Sequence, residues 1–207
     1  MKIICVGLNY QKHNHEMGRA DSATTDNPVI FIKPDSALLK DNKPFFIPDF
    51  SNDIHHEVEI VIRINRLGKN IAERFAHRYY DELTVGIDFT ARDLQSELKL
   101  KGLPWELSKG FDNSAVIGEF VSKEDLSSSM DNLKFELLKN SNQVQIGNSS
   151  DMIHSVDKII AYVSRFFTLK IGDIIFTGTP AGVGRVDIDD HLEGFLDDKK
   201  LFDFYVR

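Results

Sequence analysis

Short stretches of alternating apolar and polar residues dominate this chain, and helical periods are few. Residues 55–64, HHEVEIVIRI, put Val58, Ile60, Ile62 and Ile64 on one face of an extended segment and Glu57 and Glu59 on the other. Apolar runs in KIICVG (2–7), PVIFIKP (28–34), KPFFIPDF (43–50), LTVGIDF (83–89), GDIIFTG (172–178) and KLFDFYV (200–206) predict further strands. NLKFELLKNSNQVQIGNS (132–149) predicts a β-hairpin turning at NSNQ. YQKHNHEMG (10–18) reads as a short helix ending at Gly18, and NIAERFAHRYY (70–80) as a polar helix. RADSATTDN (19–27) reads as a mobile loop. SVDKIIAYVSRFF carries a helical stripe at 156, 159, 160, 163, 166 and 167, with Ser155 as its N-cap. After LTVGIDF, Thr90 and Asp93 match a capping-box variant, so a helix is expected from Ala91, closed by Gly102 and Pro104. Many strands and few helices predict an α+β fold.

The 207 residues suit a single domain, 1–207. Hydrophobic residues make up 42% and charged residues 28%, and 15 phenylalanines supply core material. A net charge of −7 with no basic run argues against a nucleic-acid binder. Cys5 is the only cysteine, which excludes an intrachain disulfide and a cysteine-based zinc site and favours a reduced, cytoplasmic setting. No apolar run reaches membrane-spanning length, so no membrane partner is expected.

Two glutamates on one strand face repel. A solvated sheet face explains them simply, yet the strand is as rich in valine and isoleucine as a buried one. Asp88 ends another apolar strand just before a predicted helix, a common place for functional groups. If the three carboxylates converge in a dry cleft, they need a compensating cation. Oxygen ligands suit Mg²⁺ or Mn²⁺, and three monodentate carboxylates leave about three positions for water and a chelating substrate. His55, His56, His13 and His15 offer a rival zinc reading, ranked second. His13 and Glu16 are three residues apart, so on a helix they share a face. That spacing fits a carboxylate orienting a general base, and equally a surface ion pair. GTPAGVG lacks the Lys-Ser/Thr of a nucleotide-binding P-loop; its backbone N–H groups are expected to cradle a substrate carboxylate.

HHEVEI, GIDFTARDLQ, KGLPWELSKGFD and GDIIFTGTPAGVG, in that order, resemble the fumarylacetoacetate hydrolase family, nearest its small acylpyruvase and oxaloacetate decarboxylase branch. The resemblance runs from GLNYQKHNHEM to the last strand. It implies a mixed β-roll, barrel-like core, often dimeric, that binds Mg²⁺ or Mn²⁺ through Glu57, Glu59 and Asp88. It implies catalytic roles for His13, Glu16 and Lys109, with residues 10–27 as a lid. Arg92, Gln95 and Thr179 match substrate-binding positions. The implied substrates are small 2-oxo acids, whose keto and carboxylate oxygens chelate a divalent ion that stabilises an enolate. Acylpyruvate hydrolysis and oxaloacetate decarboxylation would both pass through a pyruvate enolate. The alternative is an isomerase or tautomerase of 2-hydroxyhepta-2,4-diene-1,7-dioate or oxaloacetate-type diacids. Ala115 and the run Ser108-Lys109-Gly110 depart from the usual family pattern.

Overall fold

The computed structural model describes residues 1–18 and 26–207. In chain order the elements are β1 (Ile3–Gly7), α1 (Gln11–Glu16), β2 (Val29–Lys33), β3 (Leu38–Leu39), β4 (Ile54–His56), β5 (Val58–Ile64) and α2 (Glu73–Ala76). Then come β6 (Tyr80–Asp88), β7 (Thr90–Ala91), α3 (Arg92–Leu100), α4 (Glu106–Lys109), β8 (Ala115–Ile117) and β9 (Val121–Ser122). The rest are β10 (Lys134–Lys139), β11 (Asn142–Asn148), α5 (Val156–Phe166), β12 (Ile174–Phe176), β13 (Gly184–Arg185), β14 (His191–Leu196) and β15 (Lys199–Tyr205). The architecture is mixed α+β with few helices and a curled main sheet. That sheet runs β2-β1-β12-β5-β6-β8-β3, with β9 also paired to β6. A second sheet runs β11-β10-β14-β15, and a small third one β13-β4-β7. No described helix is long and apolar enough to cross a membrane.

β5 lies in the middle of the main sheet, between β12 and β6. Val58, Ile60, Ile62 and Ile64 enter the main core, which also takes Ile159, Ile160 and Val163 of α5. Full burial of such a side chain contributes about 1.5–3 kcal/mol, so this face fixes the register. Val61 joins a second cluster with Ile3, Cys5, Ala115 and Phe176. Both faces of β5 are therefore covered, and the solvated-face explanation of Glu57 and Glu59 fails: they are 5% and 2% exposed.

Ser155 Oγ caps α5 by accepting from Lys158 N. The β10–β11 hairpin turns through Asn140 and Ser141, both with positive φ, as a tight two-residue turn requires. Three local expectations fail. Residues 43–50 form no strand; Phe45 makes only an isolated bridge to Val206. In 70–80 only Glu73–Ala76 is helical, because Tyr80 already opens β6. Thr90 and Asp93 form no capping box. α3 begins at Arg92 without a side-chain cap, Thr90 Oγ1 is drawn to Lys109, and Asp93 accepts from Ser51 and Asn52 N. The loop reading of 19–27 and the lid reading of 10–27 both fall in part on residues 19–25, outside the described residues.

Candidate active site

The register of β5 against β6 brings the carboxylates together. Val58 pairs with Ile87 and Glu59 with Gly86, and Asp88 N donates to the Glu57 carbonyl at 2.9 Å. Glu57 thus faces Asp88 across the ladder, at the break between β4 and β5. Gly86 has no room for a side chain, since a Cβ there would lie 2.4 Å from the Val116 carbonyl oxygen. One carboxylate oxygen from each of Glu57, Glu59 and Asp88 lies within 4.8 Å of the others. Asp88 is only 1% exposed.

Buried cations offset this charge. Lys109 Nζ donates to Glu57 Oε2 and Asp88 Oδ2, both at 2.7 Å, and to Thr90 Oγ1 at 2.6 Å. Arg92 Nη2 meets Glu57 Oε1 at 2.5 Å, while its Nη1 donates to Gln95 Oε1 at 2.7 Å. Lys33 Nζ lies 2.7 Å from Asp88 Oδ1 as an ion pair without hydrogen-bond alignment; its protons go to Ser114 Oγ and to backbone carbonyls. Burial pushes the Glu57 carboxyl up, but Lys109, Arg92 and His13 outweigh it and hold the group well below the usual range. Burial also works against the charge on Lys109, and Asp88 and Glu57 overcome it, raising its pKa.

Glu59 differs. Among the described residues it forms no ion pair, and Gly178 N donates to its Oε2 at 2.7 Å. Burial, then Asp88, push its carboxyl well above the usual range. A buried, unpaired carboxylate beside two others is the environment a hard dication relieves. The oxygen-only donor set fits Mg²⁺ or Mn²⁺. The histidines are engaged elsewhere: His55 with Asp53 at 2.9 Å and His56 with Gln145 at 2.8 Å.

His13, 7% exposed on α1, lines one cavity with Glu57, Glu59, Asp88, Arg92 and Thr179. Its Nδ1 is 3.1 Å from Glu16 Oε2. Both Glu16 oxygens accept from Gly182 N, at 3.0 and 3.2 Å. Burial lowers the His13 pKa, with Glu57 and Glu16 opposing. His15, on the same helix, is exposed.

The fumarylacetoacetate (FAA) hydrolase C-terminal family matches residues 2–205. The chain belongs to this family. It is 40% identical over 200 residues to oxaloacetate tautomerase YcgM of Escherichia coli (strain K12), covering 97% of this chain and 90% of that protein. It is 41% identical over 191 residues to the mitochondrial oxaloacetate tautomerase FAHD1 of Bos taurus, covering 92% and 85%. The crystal structure of fumarylpyruvate hydrolase from Pseudomonas aeruginosa, in complex with Mn²⁺ and pyruvate, superposes with a TM-score of 0.92 at 32% identity, covering 100% of this chain and 89% of that one. Fumarylacetoacetate hydrolase relatives are enzymes, and the acidic trio sits in the one cavity that also holds His13, Arg92, Gln95, Lys109 and Thr179.

Every site residue read from the sequence therefore lines this one cavity, except Glu16, which stands behind His13. Arg92, Gln95 and Lys109 are buried rather than surface residues. The glycine-rich loop behaves differently from expectation. Two of its N–H groups are taken by protein carboxylates, Gly178 by Glu59 and Gly182 by Glu16. Sequence reasoning missed Lys33 and Gln145. A lysine inside the apolar run VIFIKP was a usable signal for the first; Gln145 alternates in its hairpin like any solvent-facing residue and gave none.

Proposed function

We propose that this chain is a Mg²⁺- or Mn²⁺-dependent enzyme that moves a proton at C3 of a small 2-oxo acid, interconverting keto and enol forms of an oxaloacetate-type diacid. The observation that carries this reading is a buried His13, held by Glu16, sharing a cavity with three clustered carboxylates. The tautomerase names of the two relatives near 40% identity support it. An ion held by Glu57, Glu59 and Asp88 would supply Lewis-acid stabilisation of negative charge on the 2-oxo acid's oxygens. His13 Nδ1–H donates to Glu16, which leaves Nε2 as the basic atom. That nitrogen takes the proton from C3, the protonated imidazole then gives a proton to the enolate oxygen and is neutral again, and no carbon–carbon bond breaks. Arg92, kept in place by Gln95, binds substrate oxygens, as do Lys109 and Thr179. α1 serves as part of a lid.

A second reading is carbon–carbon cleavage, namely acylpyruvate hydrolysis or oxaloacetate decarboxylation. It is favoured by the likeness to the fumarylpyruvate hydrolase and by a dyad equally suited to activating water. Proton NMR of oxaloacetate and of an acylpyruvate, each with Mn²⁺ and protein, separates the two. Accelerated enol–keto exchange without pyruvate supports tautomerisation, and pyruvate accumulation supports cleavage. If neither rate changes, both readings fail.

A further inference from the structure

Gln145 lies on β11, an edge strand of the second sheet, yet it is 1% exposed and uses its whole amide. Its Oε1 accepts from Val58 N at 3.0 Å and pairs with His56 Nδ1 at 2.8 Å. Its Nε2 donates to Thr179 Oγ1 at 2.9 Å and to the Pro180 carbonyl at 3.1 Å. A backbone N–H can only donate, so Val58 fixes which end of the amide is oxygen. The other end is then an NH₂ group, and Thr179 Oγ1 must accept from it. The threonine keeps one proton to give. Its acceptor among the described residues, the Pro180 carbonyl, is a long 3.5 Å away and already receives Gln145 at 3.1 Å. Thr179 lines the cavity with Glu59, Arg92 and Lys109, so a better acceptor placed there can draw its hydroxyl proton from that long contact.

We infer that Gln145 is a positioning residue that commits the Thr179 hydroxyl to donating a hydrogen bond to an anionic oxygen of the substrate. Gln145 is not among the residues that line the cavity, and of its partners Thr179 is the one that does. The ligand class that follows is a small carboxylate, because a hydroxyl forced to donate suits an acceptor-only group. This assignment rests on the proposed 2-oxo acid reading.

A double-mutant cycle tests it, with oxalate as an unreactive dicarboxylate probe. Calorimetry gives the oxalate Kd of Mn²⁺-loaded wild type, Gln145→Met, Thr179→Val and the double variant; KM and kcat are read alongside. One hydrogen bond to a charged group corresponds to about tenfold in affinity. Gln145→Met is expected to raise the Kd and KM by about that factor with a much smaller change in kcat. In the Thr179→Val background the same substitution should change the Kd less than about twofold. Equal effects in both backgrounds overturn the assignment, since Gln145 would then act independently of Thr179. Thr179→Val alone decides the matter if Gln145→Met does not fold: oxalate affinity within about twofold of wild type overturns it. Oxalate binding and an intact cycle without turnover of any 2-oxo acid would sink the functional reading and leave this one standing. Turnover with additive effects would do the reverse, and no oxalate binding by the wild type overturns the assignment.

Discussion

At the scale of single residues, the site is a set of buried charges in which most acids have a cation of their own. Lys33 is the clearest case, with its side chain fully buried against Asp88. Removing one member of such a pair leaves the other charge uncompensated, which costs about 3–5 kcal/mol. Lys33→Met should therefore lower the unfolding free energy, read from urea titrations of the metal-free protein, by about that much; a change below about 1 kcal/mol would mean the pair is not buried as described. His13 yields a pH prediction. Burial lowers its pKa, so the neutral base persists below the ordinary histidine value of about 6.5. The acid limb of kcat/KM should fall below that pH, and His13→Ala should remove activity while metal binding remains. The glutamate pair was legible in the sequence because Glu-x-Glu inside an apolar strand is anomalous, whereas Asp88 joined it only through the family resemblance, since spacing does not show that the strands bring the three together. Lys33 and Gln145 were less so, because their roles come from partners 55 and 34 residues away, Asp88 and Thr179; the apolar run around Lys33 signals its burial but not its partner, and Gln145 has no local signal at all.

At the scale of elements, the loop after β12 ties two parts of the site together. Gly178 N holds Glu59, and Gly182 N holds Glu16 at the end of α1. Gly182 has φ +98°, and a Cβ there would lie 2.5 Å from the Val144 carbonyl oxygen. Gly182→Ala must displace the loop, so Glu16 loses its anchor and His13 its orientation. The expected result is a drop of at least about tenfold in kcat, a loss of about 1.4 kcal/mol, with the Mn²⁺ Kd nearly unchanged; loss of Mn²⁺ binding would show that the loop braces the metal ligands instead. β4 and β11 meet through His56 and Gln145. Burial lowers the His56 pKa to about 4, so the unfolded chain binds the extra proton first as pH falls. Stability from this group is complete above about 6.5 and is lost by about pH 4, some 3 kcal/mol in all. Urea titrations at pH 7 and 4.5 should show a smaller acid loss in His56→Gln than in wild type. Regular elements such as α5 and the β10–β11 hairpin were readable because capping and turn chemistry are local. The expected cap at Thr90 was not, because Lys109 competes for its hydroxyl.

At the scale of the whole molecule, the three carboxylates come from adjacent central strands, while their partners come from β2, the segment after β6, and the loop after β12. No unfolded chain presents this arrangement, so an ion that uses it binds the folded state alone. Linkage then fixes the size of the effect: free Mn²⁺ at 100 times its Kd stabilises by about 2.7 kcal/mol. For a chain of this size each kcal/mol moves the thermal midpoint by about 2–4 °C, so a rise of about 5–11 °C is expected. Glu59→Gln removes the carboxylate that lacks a cationic partner and relieves its burial at the same time. The variant should match or exceed wild type in stability without metal, yet lose most of the Mn²⁺-dependent rise. A wild-type-sized rise in Glu59→Gln would place the ion elsewhere. Because the same substitution moves the two measurements in opposite directions, general damage to the fold cannot imitate the outcome.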